Sequence, residues 1–230
     1  MERIGARRAG VAVVITGLLV GAVACSGADS ASTASSTSVA PTTLSVPTSS
    51  IDPSSADVII SFPDAASVAA WRNVDDSVMG GVSASTSSWL LNGGRGAMEF
   101  TGELSTDNNG GFASTLSRVD KDLGTRASGS RALGVRAIGD GRTYLLQLRA
   151  GPSGAERWIS RFTPPTVVTD GVGPTVDVSL ESFEPVNQFL RPIDPVAALD
   201  PATISQIGVY VLDGQVGSFR LVLESVSAVR

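Results

Sequence analysis

The strongest pattern along the chain is alternation. Tyr144, Leu146 and Leu148 fall on one side of an extended segment, with Leu145, Gln147 and Arg149 on the other. Trp158, Ser160 and Phe162 alternate with Ile159, Arg161 and Thr163, and Phe219, Leu221 and Leu223 alternate with Arg220, Val222 and Glu224. A period of two marks strands, whose successive side chains point to opposite faces. Runs at 58–62, 98–101, 112–116, 133–138, 176–180 and 207–212 predict further strands, separated by Gly- or Pro-rich breaks. Alanines predict a short helix over 64–71, and 199–205 predicts a single helical turn. Many short strands punctuated by turns predict an all-β sandwich or jelly roll, with no internal repeat.

The pattern stops short of the first 55 residues. Arg3, Arg7 and Arg8 precede an apolar run from Val11 to Val23, which meets Ala24-Cys25. That run is too short to span a bilayer, which takes about 20 residues, and it has the layout of an export signal. Cys25 is the only cysteine. Ala22-Val23-Ala24-Cys25 resembles a bacterial lipobox, which implies a lipidated Cys25 as the first mature residue; an ordinary cleavage site is the other reading. Residues 26–55 are Ser, Thr, Ala and Pro with few large apolar side chains, a composition that cannot offset its own chain entropy. We therefore expect three parts: a lipoprotein signal over 1–25, a disordered tether over 26–55, and a folded domain over 56–230. They place the domain outside the cytoplasm, held to the cell membrane through lipid on Cys25.

Composition removes several chemistries. The chain of 230 residues has no histidine, which excludes a Ser-His-Asp triad, a Cys-His pair and histidine-ligated metals. A net charge of -5 argues against nucleic acid as a partner. No metal or other cofactor is expected. Asp76, Asp107 and Asp140 lack the spacing of a calcium loop.

Four polar stretches carry the candidate site. The first is Trp71 to Ser83, with Asp75-Asp76 followed by Met79-Gly80-Gly81, a polar corner that leads into a strand at Val82. Adjacent acids on a strand point apart, so Asp76 is either a capping turn residue or a binding one. The second holds Asp107-Asn108-Asn109-Gly110-Gly111-Phe112, read as a hairpin connection or as a loop whose amides suit hydroxyl-rich ligands. The third, Gly139-Asp140-Gly141-Arg142-Thr143-Tyr144, reads as a hairpin tip in which Arg142 and Tyr144 share a strand face. The fourth is Trp158 with Arg161 and Phe162, with Trp158 assigned to the core.

The order Trp71, Asp76-x-Val78-Met79-Gly80-Gly81-Val82-Ser83, Phe100-x-Gly102, Asn108-Asn109-Gly110-Gly111-Phe112 and Gly139-Asp140-Gly141-Arg142-x-Tyr144 resembles the complex I intermediate-associated protein 30 family. Phe183-x-Pro185, Ile207-Gly208 and Asp213-x-Gln215-x-Gly217-x-Phe219 extend the resemblance to the end of the domain. Asp75, Leu116 and Val176 depart from the family's usual Asn, Arg and Trp. The resemblance implies a galactose-binding-like sandwich and a non-catalytic role in assembling a protein complex. It makes Trp71, Met79, Gly80, Gly81, Gly110, Gly111 and Phe112 a structural motif. Asp76, Asn108, Asn109, Asp140, Arg142 and Tyr144 are the candidate contacts to a ligand or partner. The expected function is a lipid-anchored, extracytoplasmic binding or assembly module that engages an envelope protein complex and is not an enzyme. The alternative is a carbohydrate-binding module for cell-wall or environmental glycans.

Overall fold

The computed structural model describes residues 57–167, 171–194 and 197–230; the signal over 1–25, with Cys25, and the tether over 26–55 lie outside them. The chain runs β1 (Val58–Ser61), α1 (Ala65–Ala69), β2 (Arg72–Asp75), β3 (Ala84–Asn92), β4 (Arg95–Leu104), β5 (Ala113–Leu116) and α2 (Leu123–Ala127). It continues through β6 (Ala132–Ile138), β7 (Tyr144–Ala150), β8 (Glu156–Phe162), β9 (Thr175–Ser179), β10 (Glu184–Val186), β11 (Gln206–Val211) and β12 (Gly217–Val229).

All pairings between these strands are antiparallel. The first sheet has the order β3-β4-β12-β6-β9, and β1 also pairs with β12. The second has the order β10-β8-β7-β11-β5-β2. Met98, Phe100, Leu221 and Leu223 of the first sheet meet Tyr144, Leu146, Leu148, Val209 and Phe162 of the second in one buried core. This is the all-β sandwich that alternation predicts. Trp158 is in the core, as expected. The short helix appears as α1, where Asp64 caps the first turn by accepting from the Ser67 N–H at 2.9 Å.

Two expectations are corrected. The Asn-Gly and Asp-Gly segments are not hairpin tips. Residues 105–112 carry the chain from β4 in the first sheet to β5 in the second, and 139–143 carry it from β6 to β7 in the same way. Arg142 consequently precedes its strand and does not share a face with Tyr144.

The sequence pattern also passes over β2, β10 and α2, and of β3 it gives only the start, expected at Val82 and found at Ala84. The nine residues of β3 are mostly polar because the sheets meet through hydrogen bonds at this edge. Asn73 Nδ2 donates to Ser85 Oγ at 2.8 Å, and Ser87 Oγ donates to Thr115 Oγ1 at 3.0 Å. Polar residues that face inward defeat a reading based on apolar alternation.

Candidate functional site

Strand register brings the polar stretches to one end of the sandwich. Asp75 lies opposite Ala113, Val211 opposite Ala113 on the other side, and Tyr144 opposite Phe162. Gly217 lies opposite Leu104, and Glu103 opposite Ala84. The loops 76–83, 105–112, 139–143 and 212–216 therefore share that end.

Asp76 opens a 3-10 turn directly after β2 and is fully buried. Its Oδ1 accepts from the Ser83 N–H at 2.9 Å. Its Oδ2 accepts from Ser83 Oγ at 2.6 Å, from the Gly111 N–H at 2.6 Å and from the Phe112 N–H at 3.3 Å. Burial pushes the carboxyl up, but through only a thin shell of loop, and the hydrogen bonds from Ser83, Gly111 and Phe112 together hold it below the ordinary value. The motif glycines follow from this carboxylate. A Cβ on Gly81 would lie 2.3 Å from Asp76 Oδ1, and one on Gly110 would lie 2.5 Å from Oδ2. Gly80 differs, with φ of +92° and open space around it. Asp75 turns to another partner and accepts from the Ser85 N–H at 2.8 Å and Ser85 Oγ at 2.6 Å. The two acids do not converge.

Asp140 organises a second knot. Its Oδ1 accepts from the Arg142 N–H at 3.1 Å and the Tyr144 hydroxyl at 3.1 Å, and its Oδ2 accepts from the Arg220 N–H at 2.8 Å. The Arg142 guanidinium donates to the carbonyls of Gln215, Val216 at 3.2 Å and Ser218 at 2.7 Å. Gln215 also brackets Thr143, accepting its N–H at 3.0 Å and donating to its carbonyl at 2.7 Å. Tyr144 is buried, and burial together with the charge of Asp140 raises its hydroxyl far above the ordinary range.

Asp76, Asp140, Arg142 and Tyr144 are thus committed to loop order, as two separate knots at one end. Their polar atoms have protein partners within these knots. Asn108 and Asn109 are exposed in left-handed conformations, with φ of 54° and 60°. Trp71 is half-buried, its ring 5.6 Å from that of Phe62. Met79 stands out from the corner, 61% exposed. Among the described residues, no group of three or more potential ligands is arranged to hold a metal ion.

An open surface lies instead on the outer face of the second sheet. A groove of about 300 Å³ begins at Asn109, Gly110, Gly111 and Phe112, the loop that Asp76 holds. Leu145, Ile159 and Leu212 form its floor, and Phe189, 65% exposed, borders it. Arg161 and Asp213 pair across its edge at 2.8 Å. Farther along the same face lie Gln147, Tyr210, Arg149 and Arg157. Sequence reading singled out Asn109, Gly110, Gly111, Phe112 and Arg161 here, and missed Phe189, Tyr210 and Arg157. Alternation places Leu145, Gln147 and Arg149 on a common side, but only the strand order reveals what stands beside them.

The fold and its two loop knots define a β-sandwich module with an open outer face. The chain belongs to the Complex I intermediate-associated protein 30 (CIA30) family, whose model matches residues 60–223. Among curated protein sequences, none matches the chain. Among solved structures, it is similar to the family 11 carbohydrate-binding module of a cellulosomal cellulase of Clostridium thermocellum. The two are 15% identical with a TM-score of 0.48, over 69% of this chain and 86% of that one. The complex of the Clostridium thermocellum family 11 module with a mixed-linked tetrasaccharide gives the same identity and score, over 70% and 88% of the chains. An exo-beta-agarase is 9% identical with a TM-score of 0.44, over 76% of this chain and 25% of that one. These are likenesses of general architecture alone.

Proposed function

We propose that this protein is a non-catalytic, lipid-anchored extracytoplasmic module that engages a protein complex of the envelope through the loop end of its sandwich. One observation carries this reading. The polar side chains there are tied into the two knots, while Val78, Met79, Val82 and Val216 stand 70%, 61%, 51% and 54% exposed. Rigid loops that display apolar side chains suit a protein surface, because little ordering entropy is lost on docking. The family's name, an intermediate-associated protein of complex I, supports a protein partner. The signal and lipobox pattern around Cys25 supports the membrane anchor. Cross-linking of membranes that carry the full-length protein, followed by mass spectrometry, tests the proposal. A partner recovered with the wild type and lost with Met79→Asp plus Val82→Asp, at unchanged Tm, is expected. Recovery of nothing beyond a Cys25→Ser control would sink it.

The outer groove favours a second reading, a glycan-binding module. Phe112 and Phe189 offer aromatic faces, and Asn109 with the Arg161–Asp213 pair offers polar groups beside an apolar floor. This is the mixture that sugar rings require. Titration of the full-length protein with a panel of oligosaccharides tests it, and uniform lack of binding would remove it.

A further inference from the structure

Arg149 on β7 and Arg157 on β8 are direct cross-strand partners. Their neighbours Leu148 and Trp158 point into the core, so both arginines leave by the outer face. Cβ atoms at such positions stand about 4.5–5.5 Å apart, and like charges so placed are destabilising. Arg126, Arg142, Arg161, Arg220 and Arg230 each have a carboxylate partner. Among the described residues, neither Arg149 nor Arg157 has a hydrogen-bond or carboxylate partner for its guanidinium, and the Nε of Arg149 is buried with nothing to accept its proton. The whole chain carries a net charge of -5, so the pair is not part of a generally basic surface.

The surroundings suit a polar ligand. Gln147 stands next along β7, and the Tyr210 hydroxyl of β11 donates to its Oε1 at 3.3 Å. The Tyr210 ring lies 6.3 Å from that of Phe112, which lines the groove. A guanidinium matches a carboxylate or phosphate with two parallel hydrogen bonds, and two guanidiniums on one oxyanion remove their mutual repulsion.

We propose that Arg149 and Arg157 form an oxyanion subsite that receives the carboxylate or phosphate of an acidic glycan lying along the outer face of the second sheet. The inference rests on the glycan reading of the groove. A peptide fits less well, because β7 and β8 are each paired on both sides and offer no free edge for strand addition. Hydroxyl-rich rings instead match the amide, phenol and aromatic groups that separate the arginines from the groove.

Calorimetric titration of the full-length protein with tetragalacturonate, a phosphorylated maltotetraose, neutral maltotetraose and tetraglutamate tests this. At least one acidic saccharide is expected to bind about tenfold or more tightly than maltotetraose, with affinity falling as salt is added. The comparison of uronate with phosphate identifies the source of the oxyanion. Arg149→Gln and Arg157→Gln should each weaken that binding about tenfold, with Tm unchanged or raised because the repulsion is gone. Equal binding of neutral and acidic saccharides would overturn the subsite and leave the glycan reading standing. Full affinity in both variants would do the same. Tetraglutamate binding as tightly as the acidic saccharides would overturn the assignment to a glycan. Failure of every saccharide would overturn both.

Discussion

The Gly111 N–H donates to Asp76 Oδ2 at 2.6 Å, and this bond ties together two crossings of the sandwich. At Asp76 the chain leaves the second sheet for β3, and at Gly111 it returns from β4 to the second sheet. One carboxylate therefore sets the relative position of both loops and the entrance to the outer groove.

Replacing that carboxylate leaves the N–H groups of Ser83, Gly111 and Phe112 without their acceptor. Asp76→Ala should cost roughly 3 kcal/mol and lower Tm by about 6–12 °C in calorimetry. Gly81→Ala should also destabilise, because its Cβ would meet Asp76 Oδ1 at 2.3 Å. The two costs should not add in full, since removing the carboxylate relieves the contacts to Oδ1 and Cγ and leaves only that to Cβ at 2.9 Å. Gly80→Ala should cost about 1 kcal/mol in either background, as only its positive φ opposes a side chain.

Acid sensitivity follows from the same residue. Its folded pKa lies below the ordinary value of 3.8, so the unfolded chain takes up a proton first. The stability from Asp76 is complete above about pH 4 and is lost as pH falls toward the lower folded value. Asp120, held down by its hydrogen bond from Arg126, adds to the trend. Chemical denaturation between pH 7 and pH 2.5 should show a steeper loss for the wild type than for Asp76→Asn. Equal slopes would contradict it.

Tyr144 predicts the opposite limb. Its folded pKa is raised above the ordinary 10.0, first by burial and then by the charge of Asp140. The unfolded chain releases the proton first, so stability is present below pH 10 and declines as pH rises further. Tyr144→Phe should lower stability at pH 7 by about 1 kcal/mol, through loss of the bond to Asp140, and flatten the alkaline decline. Denaturation curves at pH 8 and pH 10.5 measure both effects.

Arg142 fixes the 212–216 loop by reaching the carbonyls of Gln215, Val216 and Ser218. An ammonium cannot reproduce that fork. Arg142→Lys should raise hydrogen exchange in residues 212–218, with little change in the strands of the core. Uniform acceleration across the domain would show that the knot supports the whole fold and not the loop.

Most of the strand inventory was legible in the sequence because the core strands obey a simple alternation. Tyr144, Leu146 and Leu148 all point inward as their spacing predicts. The course of the edge strand β3 beyond its start was hidden because Ser85 and Ser87 face inward and use hydroxyls to join the sheets. The role of Asp76 was hidden for a different reason. Apart from the Ser83 hydroxyl, its partners are backbone N–H groups up to 36 residues away, and any residue type but proline supplies those. The motif glycines marked the place, but the carboxylate they make room for emerges only in three dimensions. Arg149 and Arg157 stand in different strands, and their meeting depends on register, which spacing along one chain does not give.

β12 joins three neighbours: β4 along its first half, β6 along its second, and β1 beside residues 225–227. It is also the last of the described strands in chain order. Until residues 217–229 pair, the first sheet exists only as two ribbons, β3–β4 and β6–β9, with β1 waiting for a partner. Closure of the first sheet thus waits for this one strand. The long separation of pairs such as Val58 and Ser227 makes that closure slow.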